Sequence, residues 1–158
     1  MAQATPAQIA ELVAMQDGAQ QKLTQAQRDE NEAKFNAMMG DEAAMAKFAE
    51  DDQAAFTAAD ADQDGKLNKA EFVDFSRKQE STAAAQGWHV ATSTDEEIDQ
   101  WWAKMTEVAG TPDALSKADY DAIYGAMMEA YAAKKGQWVK LVHSTPCKEW
   151  IKRALFLI

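Results

Sequence analysis

The chain has 158 residues, with 16 Lys+Arg against 26 Asp+Glu, a net charge of −10, and it is 47% hydrophobic and 27% charged. That is enough apolar content to bury a core in one domain or two small lobes, and the acidic balance excludes a nucleic-acid binder, which must neutralise a run of phosphates. A single cysteine, Cys147, excludes an internal disulfide framework and a multi-Cys zinc site, and fits a reducing compartment. No apolar run reaches the roughly 18–20 residues of a membrane span. The stretch from Met1 to Thr5 lacks the basic and apolar blocks of a signal peptide, so the expected location is cytoplasmic. The charge is unevenly spread: residues 1–133 hold 10 basic and 25 acidic side chains, residues 134–158 six basic and one acidic. Such a split marks either an interaction tail or two halves that attract each other.

In chain order, Pro6 suits the first turn of a helix carrying Ile9, Leu12, Val13 and Met15. A second helix is expected from about Thr24 to Met39, with Phe35, Met38 and Met39 near its end and Gly40 as its stop. A third covers Asp41 to Ala59, with Met45, Phe48 and Phe56 on one side. Glu71 to Glu80, bearing Phe72 and Phe75, reads as a shorter helix, and Ser81 to Thr94 as a linker. Ser93-Thr94-Asp95-Glu96-Glu97 opens another helix through Ile98, Trp101, Trp102 and Met105, its acids lying near the positive end of the helix dipole. Trp101 and Trp102 are adjacent and cannot both face inward. Lys117 to about Ala133 continues with Tyr120, Ile123, Tyr124, Met127 and Met128. No period-2 stretch runs longer than a few residues, so the fold class is all-α.

Residues 60–71 read Asp60-Ala61-Asp62-Gln63-Asp64-Gly65-Lys66-Leu67-Asn68-Lys69-Ala70-Glu71, which matches the calcium loop D-x-D-x-D-G with Glu at the twelfth place. Calcium is a hard cation that takes six to eight oxygens at about 2.3–2.6 Å. Asp60, Asp62 and Asp64 supply one side of such a shell, and Gly65 permits the turn that brings round the carbonyl of Lys66. Asn68 holds a water or binds directly, and Glu71 closes the shell with both oxygens. Without a cation these four carboxylates repel one another. Leu67, the apolar residue at position 8, is placed to pair its backbone with a partner loop.

This loop resembles those of the EF-hand family, with Phe56 before it and Phe72 and Phe75 after it as the helix residues which that family packs inward. Family loops work in pairs. Leu67-Asn68-Lys69-Ala70-Glu71 has an echo in Leu115-Ser116-Lys117-Ala118-Asp119, 48 residues on, and a weaker one in Leu23-Thr24-Gln25-Ala26-Gln27. Neither echo keeps a calcium shell. Aligning on Leu115 puts Val108, Gly110 and Pro112 at positions 1, 3 and 5, leaving only Asp119 at 12. Aligning on Leu23 puts Gln16, Gly18 and Gln20 there, and that stretch reads either as a degenerate hand or as an ordinary helix N-terminus. The middle and C-terminal hands also resemble the invertebrate sarcoplasmic calcium-binding proteins, in which a Trp-bearing helix precedes a degenerate loop.

The resemblance implies an EF-hand pair at 46–133, with a functional loop at 60–71 and a degenerate one at 108–119. Extra N-terminal helices fill 1–45, as either another degenerate hand or a covering helical pair, and a basic amphipathic segment fills 134–158. Within the last of these, Lys148 to Ile158 is Trp-anchored, basic and apolar, in composition like the helices that calmodulin-like lobes grip. It reads as part of this protein's own core, as an internal ligand of a Met-rich groove, or as an anchor for an external partner; membrane contact is disfavoured by its few basic side chains. His89 and His143 lack spaced ligand partners, and His143 with Cys147 lacks an orienting acid, so no enzyme is expected. The function implied is that of a calcium sensor or modulator acting on a target protein or helix, with one calcium ion as cofactor and magnesium as a competitor. The alternatives are a cytosolic calcium buffer and a light-chain-like subunit that binds a target helix without calcium.

Overall fold

A computed structural model describes residues 4–134. Among these, six helices and one two-stranded ladder follow in order: α1 Pro6–Gln20, α2 Gln25–Met39, α3 Glu42–Ala59, β1 Lys66–Leu67, α4 Lys69–Ala85, α5 Asp95–Ala109, β2 Leu115–Ser116 and α6 Lys117–Lys134. The protein is mostly helical, as the composition implies. No helix among the described residues is long and apolar enough to cross a membrane.

Local chemistry sets most helix starts. Thr5, Thr24, Asn68 and Thr94 each cap a helix with a side-chain oxygen while the Gln or Glu three residues on reaches back to the cap's own N–H. This reciprocal capping box satisfies two backbone donors that a helix end otherwise leaves open. Asp41 caps α3 by accepting from the N–H groups of Ala43 and Ala44. The expected linker at 81–94 is corrected at its start, because α4 runs on to Ala85. Ser81 and Thr82 are tolerated there, and the three alanines that follow favour helix. The stop comes at Gly87, whose φ is +80°. Its N–H bonds to Ala84 O, and the Trp88 N–H to Ala83 O, the paired closure that a left-handed residue makes possible.

The core draws on every helix except α2, which buries no residue. Leu12, Leu67, Phe75, Ile98, Leu115 and Met127 are its largest fully buried side chains. Phe75 is central: its ring meets Phe56 edge-on at 5.7 Å between centroids and Tyr120 at 5.1 Å, while neighbouring Phe72 lies 5.4 Å from Trp102. Trp102 is buried and Trp101 half-buried, so the two tryptophans divide as their adjacency requires. Met105 and Met127 are core residues. The ladder is antiparallel, with Leu67 opposite Leu115 and Lys66 opposite Ser116.

α1 packs on α6 and α5, which places the N-terminal helix in the same core as the two loops. α3 is continuous through residue 46, where the sequence reading divides the chain. In the weaker echo, Gln16, Gly18 and Gln20 lie within α1, Leu23 is buried in the following turn, and Thr24 is the cap of α2. α2 is tied down at its side by polar groups: Asn31 exchanges two hydrogen bonds with the backbone of His89, and Lys34 donates to the carbonyls of Gln86 and Gly87. The segment 134–158 assigned from sequence lies outside the described residues from 135 onward.

Candidate metal centre

Loop 60–71 joins α3 to α4 with β1 inside it. Asp60 ends α3, its N–H still bonded to Phe56 O, and its carboxylate turns forward into the loop. There Oδ1 accepts from the Asp64 N–H at 3.1 Å and Oδ2 from the Gly65 N–H at 2.9 Å. Asp62 Oδ1 accepts from the same Asp64 N–H at 3.2 Å. The backbone bends twice in the left-handed region, at Gln63 (φ +59°) and Gly65 (φ +82°). No heavy atom stands within 4 Å of where a Cβ on Gly65 would lie, so the conformation and not crowding calls for glycine there.

Glu71 comes back from the first turn of α4. Its Oε1 accepts from the Ala61 N–H and its Oε2 from the Asn68 N–H, both at 2.9 Å. It is buried, at 7% exposure, so its charge is held inside the loop by two backbone donors. Asn68 is committed to capping α4, its Oδ1 accepting from the N–H groups of Ala70 and Glu71. Lys66 lies in β1 with its side chain exposed.

Carboxylate oxygens of Asp60, Asp62 and Glu71 all lie within 4.8 Å of one another, the one group of three among the described residues that could hold a metal ion. Three of the four carboxylates singled out from sequence are thus brought together. Asp64 is the exception: its Oδ1 accepts from the Lys66 N–H at 2.8 Å. The crowding has an electrostatic signature at Asp62. Its bond to the Asp64 N–H pulls the carboxyl down, but desolvation and repulsion from Asp64, Glu71 and Asp60 together hold it above the usual aspartate value. An all-oxygen, acid-rich donor set of this kind suits a hard divalent cation.

The second loop has no such shell. Val108 is buried, Gly110 ends α5 with φ +71°, and the Asp119 carboxylate accepts from the Ser116 hydroxyl at 2.5 Å. One polar pair away from the acidic loop 60–71 was not legible in the sequence. Asp52 of α3 and Lys117 of α6 pair at 2.7 Å, at side-chain exposures of 15% and 18%, and Gln79 of α4 donates to Asp52 at 2.5 Å. Burial works against the Lys117 ammonium, yet Asp121 and Asp52 outweigh it and hold its pKa above the ordinary lysine value. One bridge therefore ties α3, α4 and α6. His89 faces Glu30 at 2.6 Å; His143 and Cys147 lie outside the described residues. Comparison with family models, with curated proteins and with solved structures returned no match.

Proposed function

We propose that the chain is an EF-hand calcium-binding protein that acts as a sensor or modulator of a partner protein through one site. The observation that carries this reading is the convergence of Asp60, Asp62 and Glu71 within 4.8 Å across a helix–loop–helix unit. Asp60, Asp62, Asp64, the carbonyl of Lys66, Asn68 or its water, and Glu71 are the groups that would hold the ion. Bound calcium supplies positive charge, which removes the repulsion among these carboxylates. The chain's own residues do the rest. Asp60 terminates α3 and Glu71 belongs to α4, so holding both at one point fixes the angle between those helices. The Leu67–Leu115 ladder carries that constraint to α5 and α6. The second loop, with buried Val108 in place of a ligand, serves as the structural partner of the first. We assign the chain no catalytic step.

A second reading, a buffer that binds calcium with little opening, is favoured by one observation. Met105 and Met127 are 3% and 2% exposed and fill the core instead of lining a groove. Binding of an apolar-surface dye, measured with and without calcium, separates the two. A calcium-dependent rise supports the sensor, whose helix pair opens. An unchanged signal at saturating calcium overturns the sensor reading in favour of the buffer.

A further inference from the structure

Away from the loops, a cavity of about 540 Å³ opens between the start of α1 and the end of α6. Pro6, Ile9, Ala10 and Val13 line it from α1, and Ala130 and Lys134 from α6. The volume lies within the roughly 300–1,000 Å³ of ligand-sized sites. Its one charged lining residue, Lys134, is taken by an ion pair with Asp17. What remains is apolar, and an apolar recess beside a core gains free energy when apolar atoms displace its water.

Two observations identify the occupant. First, Lys134 is both at the rim and the last described residue, so the 24 residues that follow start at the groove itself. A tethered segment of that length meets its site at an effective concentration on the order of millimolar, with no partner to compete for. Second, the charges are opposite. Residues 1–134 hold 11 basic and 25 acidic side chains, and residues 135–158 five basic and one acidic. Within the latter, 150–158 offers Trp150, Ile151, Leu155, Phe156, Leu157 and Ile158 around Lys152 and Arg153. We propose that the groove between α1 and α6 is an intramolecular docking site for the chain's own segment 150–158. The apolar side chains enter the recess and the two cations remain at its edge, facing the acidic body. The inference stands apart from the calcium reading.

Cys147 is the only cysteine in the chain and lies three residues before Trp150, so a nitroxide attached there reports where the segment sits. The test is paramagnetic broadening of backbone amides in the full chain, referenced to the reduced label. The expected result is loss of most signal at Ile9, Ala10, Val13 and Ala130. That broadening disappears in Ala10→Arg, an exposed helix position that arginine suits, and in Phe156→Asp, which leaves the described residues untouched. Broadening centred on Phe35 and Phe48 of the α2–α3 side overturns the proposal, as does no broadening above the reduced control. So does broadening of α1 that arises only when labelled and isotope-enriched chains are mixed, because the occupant is then a second copy.

Discussion

Asp62 and Asp64 stand two residues apart in one loop, and their carboxylates do different things. Asp62 lies beside Asp60 and Glu71; against the pull of its bond to the Asp64 N–H, desolvation and repulsion from Asp64, Glu71 and Asp60 raise it, whereas the Asp64 carboxylate accepts from the Lys66 N–H. A raised carboxyl favours the folded state when protonated, so the share of stability that Asp62 contributes is present at low pH and lost as pH rises through its folded value. Asp62→Asn is therefore expected to stabilise the metal-free protein at neutral pH, with the gain shrinking toward about pH 4, where aspartates protonate; urea denaturation at both pH values checks this. Gly65→Ala puts a Cβ on a residue with φ +82° and is expected to lower stability by about 1–2 kcal/mol, the cost of a left-handed L-residue, read as a lower urea midpoint with an unchanged slope. The clustering of Asp60, Asp62 and Glu71 was legible in the sequence because it is local: twelve consecutive residues carry the spacing. The turning of Asp64 to Lys66 was not, since a carboxylate two residues before a free N–H can serve either partner.

At the scale of elements, most helix starts were readable for the same reason, although α4 begins at Lys69, two residues before the expected Glu71. Thr5, Thr24, Asn68 and Thr94 each precede a Gln or Glu by three residues, so the capping box lies within one turn. The end of α4 was misplaced because its stop depends on Gly87, two residues past the last helical alanine. The bridge among Asp52, Gln79 and Lys117 spans 65 residues of sequence, and only the packed arrangement of α3, α4 and α6 makes it. Lys117→Ala leaves Asp52, at 15% exposure, without its cation. The expected loss is about 1–3 kcal/mol, the usual cost of stranding a half-buried polar group, and the double mutant with Asp52→Ala recovers part of it. Equal and additive losses in the two single variants would mean that the pair is uncoupled.

Across the whole molecule, two features join what the sequence separates. Leu67 meets Leu115 in the ladder, a pairing the sequence hinted at through the repeated Leu-x-Lys-Ala-acid pattern. α1 packs against α6 from the other end of the chain, and nothing local announced that, because the apolar residues of α1 fit any complementary face. Because these contacts make one core, calcium bound at 60–71 is expected to stabilise the whole. At free calcium about 100 times the dissociation constant the gain is about 2.7 kcal/mol, visible as a rise in the thermal midpoint that chelator reverses. The most direct measurement is calorimetric titration of the metal-free protein with calcium over a millimolar magnesium background, repeated in Glu71→Gln. Glu71 is the residue that ties α4 to the loop. One calcium site is expected in the wild type. In the variant, affinity should fall by more than the roughly 10–100-fold typical of losing a supporting group around a metal. No site in the wild type, or one that survives unchanged in Glu71→Gln, would contradict the calcium assignment.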